Sequence, residues 1–256
     1  FTYTFFKKVS KLPDLKFFTS SLYLMPKFNW LLSYPSLYAY LASKRKHVNY
    51  EKLLYLKSIK KGNVIFDIGA NVGTFTELFS ILCGSKGEVH CFEPIPETYE
   101  ALLKRTKNLK NVLQNNVAAG DTNSKMAMSY DSSDSEKASL SQTDCAEKCE
   151  VKVMRLDDYV SKLNLKRLDF VKCDVEGYEL NTLKGMKCTL EAFLPQISLE
   201  ITVSNQMRIE ILSLLKSIGY DCFRKVERGF PRYHAEDDNL ALDDYFYLHA
   251  SSSFNS

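Results

Sequence analysis

Past residue 50, short continuous apolar runs alternate with stretches of helical spacing, and this alternation limits the possible folds more than any other feature. "NVIFDIG", "EVHCFEP", "NVLQNNVAAG", "LDFVKCDVEG" and "PQISLEITV" read as five successive strands. Between them, residues 74–82, 98–107, the segment through Leu180, Leu183 and Met186, and residues 205–218 carry apolar side chains at helical intervals. A further helix, with Leu53, Leu54, Leu56 and Ile59 on one face, precedes the first strand and ends at Lys60-Lys61-Gly62. Strands that are apolar throughout need cover on both faces, so the pattern predicts an α/β chain with a mostly parallel, doubly wound sheet. Two late runs, "YDCFRKV" and "DYFYLHA", are expected to close that sheet as an antiparallel C-terminal strand pair.

The rhythm breaks over residues 121–150. "KMAMSY" and "VKVMRL" alternate as strands do, whereas "DSSDSEKASLSQTDCAEKCE" is polar and reads as a loop. An excursion of this length between the third and fourth strands is either a lid over a site or a plain surface insertion.

Charge divides the chain. Residues 1–61 hold twelve Lys or Arg against Asp14 and Glu51, while the remainder holds 22 basic and 29 acidic residues. Residues 1–49 are therefore expected to form a basic, aromatic-rich helical extension, with 50–256 as the folded domain. Such an extension either packs its aromatics on the domain or makes a peripheral contact with an anionic membrane. Residues 28–42, the most apolar run, are too few to span a bilayer and contain Pro35. The seven cysteines are odd in number and lack paired zinc-type spacing, which fits reduced thiols. No secretory signal pattern is evident, and the expected compartment is the cytoplasm. Oligomeric state is not legible.

The loop after the first strand carries the chemistry. In an open parallel sheet, ligands bind beyond the carboxyl ends of the strands. "DIGANVG" puts an acid, Asp67, and two glycines, Gly69 and Gly73, at that place, where a helix then begins. A dinucleotide site would want Gly-x-Gly-x-x-Gly and no acid facing the pyrophosphate. Here the spacing is Gly-x-x-x-Gly, and a carboxylate suits a ligand bearing an amine. Glu93 ends the second strand, 24 residues after Gly69, where an acid takes ribose hydroxyls. The implied ligand has a ribose, a cationic group and no phosphate chain. S-adenosylmethionine meets that description and NAD meets it poorly. The bland alternative makes "GANVG" an ordinary turn and Asp67 a helix cap.

"VIFDIGANVGTFT" with "CFEPIPETY", then "LDDYV", then "LDFVKCDVEGYELNTLKGM" resemble the FkbM-type methyltransferases, over roughly residues 50–250. The resemblance implies a Rossmann-like class I methyltransferase fold, S-adenosylmethionine as donor, and mostly O-methylation of hydroxyls on sugars, glycans or natural products. It also implies that Asp67, Gly69, Asn71 and Gly73 cradle the methionine part and the sulfonium side of the donor. Glu93 would take the ribose, Asn116 and Val117 would border the adenine, and Asp174 would sit beside the methionine amine and the acceptor.

An alcohol acceptor loses a proton as its new bond forms, and a nearby carboxylate or histidine can accept it. Asp174 and Glu176 are the first candidates, followed by Glu200 at the end of the fifth strand and His234 in "GFPRYHAEDDN". Each has a structural alternative: Glu176 as a loop tie, Glu200 as a strand-end surface residue, His234 as a solvated histidine. Asp174, Glu176 and Glu200 could also hold Mg²⁺, but no fixed ligand spacing supports it, so no metal is expected. After Asp174 there is no Pro-Pro-aromatic run of the kind that holds a flipped-out base, so nucleic acid is not the expected partner. Two further readings remain at this level. One is a methyltransferase-like module without turnover, acting as an adaptor through residues 1–49; the other is a nicotinamide-dependent enzyme.

Overall fold

The computed structural model describes residues 49–131, 134–139, 147–201, 205–226, 232–233 and 243–249. The expected extension lies outside the described residues apart from Asn49, and the membrane and adaptor readings lie there with it.

Helix α1 (Tyr50–Ser58) starts at Asn49, whose Oδ1 accepts a hydrogen bond from the Lys52 N–H at 2.8 Å. A side-chain oxygen at this position satisfies one of the N–H groups that a helix start leaves unpaired. Tyr55 anchors the helix. It is fully buried and stands edge-on to Phe75, Phe79 and Phe170, so α1 is pinned to one face of the sheet.

Strand β1 (Val64–Ile68) is buried along its whole length because it runs in the middle of the sheet. Helix α2 (Thr74–Cys83), strand β2 (Glu88–Phe92), helix α3 (Pro96–Thr106) and strand β3 (Val112–Asn115) follow as the spacing predicts. After an excursion through β4 (Ala118–Ala119), β5 (Ser124–Asp131), β6 (Asp134–Ser139), β7 (Glu147–Met154) and helix α4 (Leu156–Leu163), strand β8 (Phe170–Cys173) returns to the sheet. Helices α5 (Glu179–Gly185) and α6 (Lys187–Phe193), strand β9 (Gln196–Ile201), helix α7 (Asn205–Ile218) and strands β10 (Tyr220–Lys225), β11 (Arg232–Tyr233) and β12 (Asp243–His249) complete the described chain.

The main sheet runs β11-β10-β12-β9-β8-β1-β2-β3. β9, β8, β1, β2 and β3 are parallel neighbours, and β12 inserts antiparallel between β9 and β10. The chain thus builds outward from β1 to β3 and then returns to the other side of β1 with β8. Strand order reverses between β1 and β8, and a crevice opens above their carboxyl ends.

Three expectations are corrected. "NVLQNNVAAG" is not one strand: β3 pairs with β2, whereas Ala118–Ala119 pairs with Val153 and Met154 in a second sheet, ordered β4-β7-β5-β6. The polar segment read as a loop contains Asp134–Ser139 and the start of β7, both paired with β5. A partner strand supplies backbone hydrogen bonds whatever the side chains are, so polarity alone does not forbid a strand. The helix through Leu180, Leu183 and Met186 is two helices, broken at Met186, which has φ −123°.

Phe66, Ile68, Val171, Cys173, Ile197 and Leu199 are buried together with Leu183, Leu190, Ile211 and Leu215 in the largest apolar cluster. The described cysteines Cys83, Cys91, Cys149, Cys173, Cys188 and Cys222 are free thiols. Among the described residues, no helix is long and apolar enough to cross a membrane, and no group of three His, Cys, Asp or Glu is placed to hold a metal ion.

Candidate active site

The turn from β1 to α2 is shaped by its neighbours. Gly69 has φ +75°, and a Cβ there would fall 1.7 Å from the backbone oxygen of Asp174, so only glycine lets the turn lie against the end of β8. The N–H groups of Gly69 and Ala70 both donate to the Phe92 carbonyl, each at 3.0 Å, which ties the same turn to the end of β2. Gly73 has φ +82°, but the obstacle to its Cβ is Leu102 Cδ1 at 2.6 Å. Its left-handed backbone favours glycine, and a side chain there would also press on α3.

Glu93 follows β2 and is only 5% exposed. Its Oε2 accepts from the Asn71 N–H at 2.9 Å and its Oε1 from the Ile95 N–H at 3.0 Å. Burial outweighs these hydrogen bonds and pushes the carboxyl up to about 7. Asn116 supports the loop from outside, its Nδ2 donating to the carbonyls of Glu93 (2.8 Å) and Pro94 (3.0 Å).

Across the switch point, Asp174 leaves β8 with its side chain 28% exposed, and Lys172 Nζ donates to Asp174 Oδ2 at 2.8 Å. Burial works against the ionised Asp174, yet the Lys172 ammonium and a hydrogen bond with Glu200 hold it below the ordinary aspartate range. Asp67 is fully buried. Its Oδ2 accepts from Thr76 Oγ1 at 2.5 Å, and burial, partly offset by Lys172, raises its carboxyl.

The segment after Asp174 turns through two left-handed residues, Glu176 (φ 49°) and Gly177 (φ 96°). Glu179 fixes that turn: it is fully buried, and its Oε1 accepts from the Gly177 N–H at 2.8 Å. Tyr178 Oη donates to Met126 Sδ at 3.5 Å and joins the turn to β5 of the second sheet.

These elements enclose a cavity of about 490 Å³. Ile95, Val117, Ala118 and Met128 line its apolar portion, beside β2 and β3. Asn49, Lys52, Lys172 and Glu200 line the portion beside α1, β8 and β9, and Gly69, Asn71, Glu93, Asp174 and Glu176 also face it. Burial draws the Lys52 ammonium below the usual lysine range. The excursion takes part in the site, because Met128 of β5 is on the wall.

Three expected donor contacts do not reach the cavity. Asp67 points beneath α2, since the strand's alternation puts Phe66 in the core on one face and Asp67 under Thr76 on the other. Gly73 faces α3, and Asn116 braces the Glu93 loop from behind. His234 lies outside the described residues. The sequence reading missed Lys172, Glu179, Lys52 and Met128. A lysine inside the apolar run "DFVKC", two residues before an acid, is a legible sign of a buried ion pair. Glu179 is the last acid of "DVEGYE", and nothing in its spacing separates it from Glu176.

The residues present fit S-adenosylmethionine. The cavity falls within the roughly 300–1,000 Å³ usual for small-molecule sites. Glu93 is held by backbone donors and keeps lone pairs for the ribose hydroxyls, apolar side chains line a surface for adenine, and ionised Asp174 suits an amine. The doubly wound sheet with β12 inserted antiparallel between β9 and β10 is the fold of the class I methyltransferases.

Residues 67–222 match the methyltransferase FkbM domain, and the chain belongs to that family. Its methyl donor is S-adenosylmethionine. It is similar to the hexuronic acid methyltransferase AglP of Haloferax volcanii, with 27% identity over 139 residues, 54% of this chain and 56% of AglP. It is also similar to the 31-O-demethyl-FK506 methyltransferase FkbM of Streptomyces tacrolimicus, with 24% identity over 195 residues, 63% of this chain and 74% of that protein. A solved structure described as an rRNA methylase of Clostridium thermocellum shares the fold at TM-score 0.50 and 13% identity, over 79% of this chain and 96% of that one. The match thus spans little more than half the length of AglP.

Proposed function

We propose that the chain transfers a methyl group to a hydroxyl oxygen of a sugar, glycan or hydroxylated natural product. The observation that carries this reading is the wall formed by Asp174, Glu176 and Glu200, three acids facing one cavity with Glu93. Carboxylates accept hydrogen bonds from hydroxyl groups, and a polyhydroxylated acceptor offers many of them. The name of one similar enzyme, for a 31-O-demethyl compound, agrees with a hydroxyl acceptor, and that of the other, for a hexuronic acid, agrees with a sugar.

The donor supplies a methyl group already activated by its sulfonium, so the protein's task is placement and proton removal. Glu93 and the Gly69–Asn71 turn hold one side of the cleft, and ionised Asp174 offers a charge to an amine. Glu176 is the proton acceptor in this reading. Asp174 has a depressed proton affinity, because the Lys172 ammonium holds it below the ordinary aspartate range. Glu176 faces the cavity from a backbone conformation that non-glycine residues rarely adopt, and such positions gather at functional sites.

The test is methyl transfer from S-adenosylmethionine, labelled in the methyl group, to neutral sugars, uronic acids and hydroxylated macrolides, with the product located by mass spectrometry and NMR. A methyl ether on a former hydroxyl is the expected result. A methyl group found only on nitrogen or on a carboxylate would overturn the assignment.

A further inference from the structure

We infer that Lys172 is a positioning residue for methyl transfer: its buried ammonium is the counter-ion shared by Asp67 and Asp174, and it keeps Asp174 ionised where the donor's amine is met. The inference rests on the donor-site reading and gives Lys172, at the cavity wall, a role exerted through Asp174.

Asp67 and Lys172 are register partners on β1 and β8, and Ser198 is the next partner on β9. The three side chains therefore share the sheet face covered by α1 and α2. Lys172 is 4% exposed, its Nζ is 2.8 Å from Asp174 Oδ2, and it lies 5.3 Å from the centre of the Phe75 ring. Lys52 of α1 lines the same part of the cavity, and the groups around Lys172 come from several elements. They are Asp67 and Thr76 on one side, Asp174 and Glu200 at the strand ends, and Glu51 and Tyr55 on α1. Tyr55 Oη donates to Glu51 Oε1 at 2.5 Å and lies 3.3 Å from Ser198 Oγ, which closes the cluster against water.

A buried lysine is costly unless acids compensate it. Here burial pulls the Lys172 ammonium down, and the carboxylates of Asp174, Asp67 and Glu51 outweigh burial and hold it above the ordinary lysine range. The dependence runs both ways. Asp67 Oδ1 is buried with no hydrogen-bond partner, so the nearby ammonium is the main compensation for that oxygen. Without Lys172, burial would neutralise Asp67, and Asp174 would lose the ammonium that lowers its proton affinity, so its own midpoint would rise. A purely structural lysine predicts otherwise: an apolar side chain over Phe75 would then serve equally well.

The test uses the whole chain, ¹³C-labelled at aspartate side-chain carboxyls, as wild type, Lys172→Met, Asp174→Asn and the double variant. Carboxyl NMR follows Asp174 through a pH titration, and calorimetry measures S-adenosylhomocysteine affinity. Wild-type Asp174 is expected to titrate below the ordinary 3.8, and Lys172→Met to move that midpoint upward. Each single variant should weaken affinity about 10- to 100-fold, the worth of a charged hydrogen bond. The double variant should lose little more than the worse single. An Asp174 midpoint unmoved in folded Lys172→Met, or losses that multiply in the double variant, overturns the inference. If Lys172→Met does not fold, a wild-type Asp174 midpoint at or above 3.8 overturns it alone. Absence of S-adenosylhomocysteine binding to wild type would remove the donor-site reading instead, and the carboxyl titration would still decide the ion pair.

Discussion

The backbone N–H of Asn71 donates to Glu93 Oε2 at 2.9 Å, so the turn after β1 and the end of β2 are joined through a single carboxylate. That carboxylate lines the cavity, and its orientation is set before any ligand arrives.

The first prediction concerns pH. Burial raises Glu93 to about 7, and ribose hydroxyls donate to the ionised form. A proton therefore competes with the donor below that pH. Affinity for S-adenosylhomocysteine should be flat above pH 7 and fall by up to about tenfold per pH unit below it. Near pH 6.5, binding should release a proton, detected as a calorimetric heat that changes with the ionisation enthalpy of the buffer.

The second concerns the turn. Gly69→Ala forces a positive φ on alanine and drives its Cβ toward the Asp174 carbonyl, whereas at Gly62, with φ +84°, nothing lies within 4 Å. Gly62→Ala should cost only about 1 kcal/mol, the conformational penalty. Gly69→Ala should cost at least about 2–3 kcal/mol more, from overpacking against backbone that cannot move aside. Urea denaturation of the two variants reads the difference.

These residues also show what a sequence can and cannot reveal here. β1, β2, β8 and β9 were legible because their apolar runs are bounded by Gly, Pro or an acid. The place of Glu93 on the cavity was legible because an acid directly after a parallel strand falls at its carboxyl end, where the crevice opens. The face taken by Asp67 was not, because alternation along a strand fixes opposite sides without saying which side α2 will cover. The split of "NVLQNNVAAG" depends on Ala118–Ala119 finding a partner in β7, more than thirty residues away, and local pattern carries no such information. Lys172 was overlooked for a related reason: its role exists only once β1 brings Asp67 beside it.

The third prediction concerns turnover. Glu176→Gln keeps the size of the side chain and removes its basicity. It should lower kcat by about 10²–10⁴-fold, the usual contribution of a general base, with S-adenosylhomocysteine affinity unchanged. Single-turnover methyl transfer, read beside donor binding, separates the two effects. An equal loss in both would assign Glu176 to shaping the turn rather than to proton transfer.

The most direct measurement is isothermal titration of the wild-type chain and of Glu93→Ala with S-adenosylhomocysteine at pH 8. Saturable binding to one site is predicted for the wild type, with a loss of about 10- to 100-fold in Glu93→Ala, the cost of removing a charged hydrogen-bond acceptor. No binding to the wild type, or equal affinity in the two proteins, would contradict the placement of the donor's ribose at Glu93.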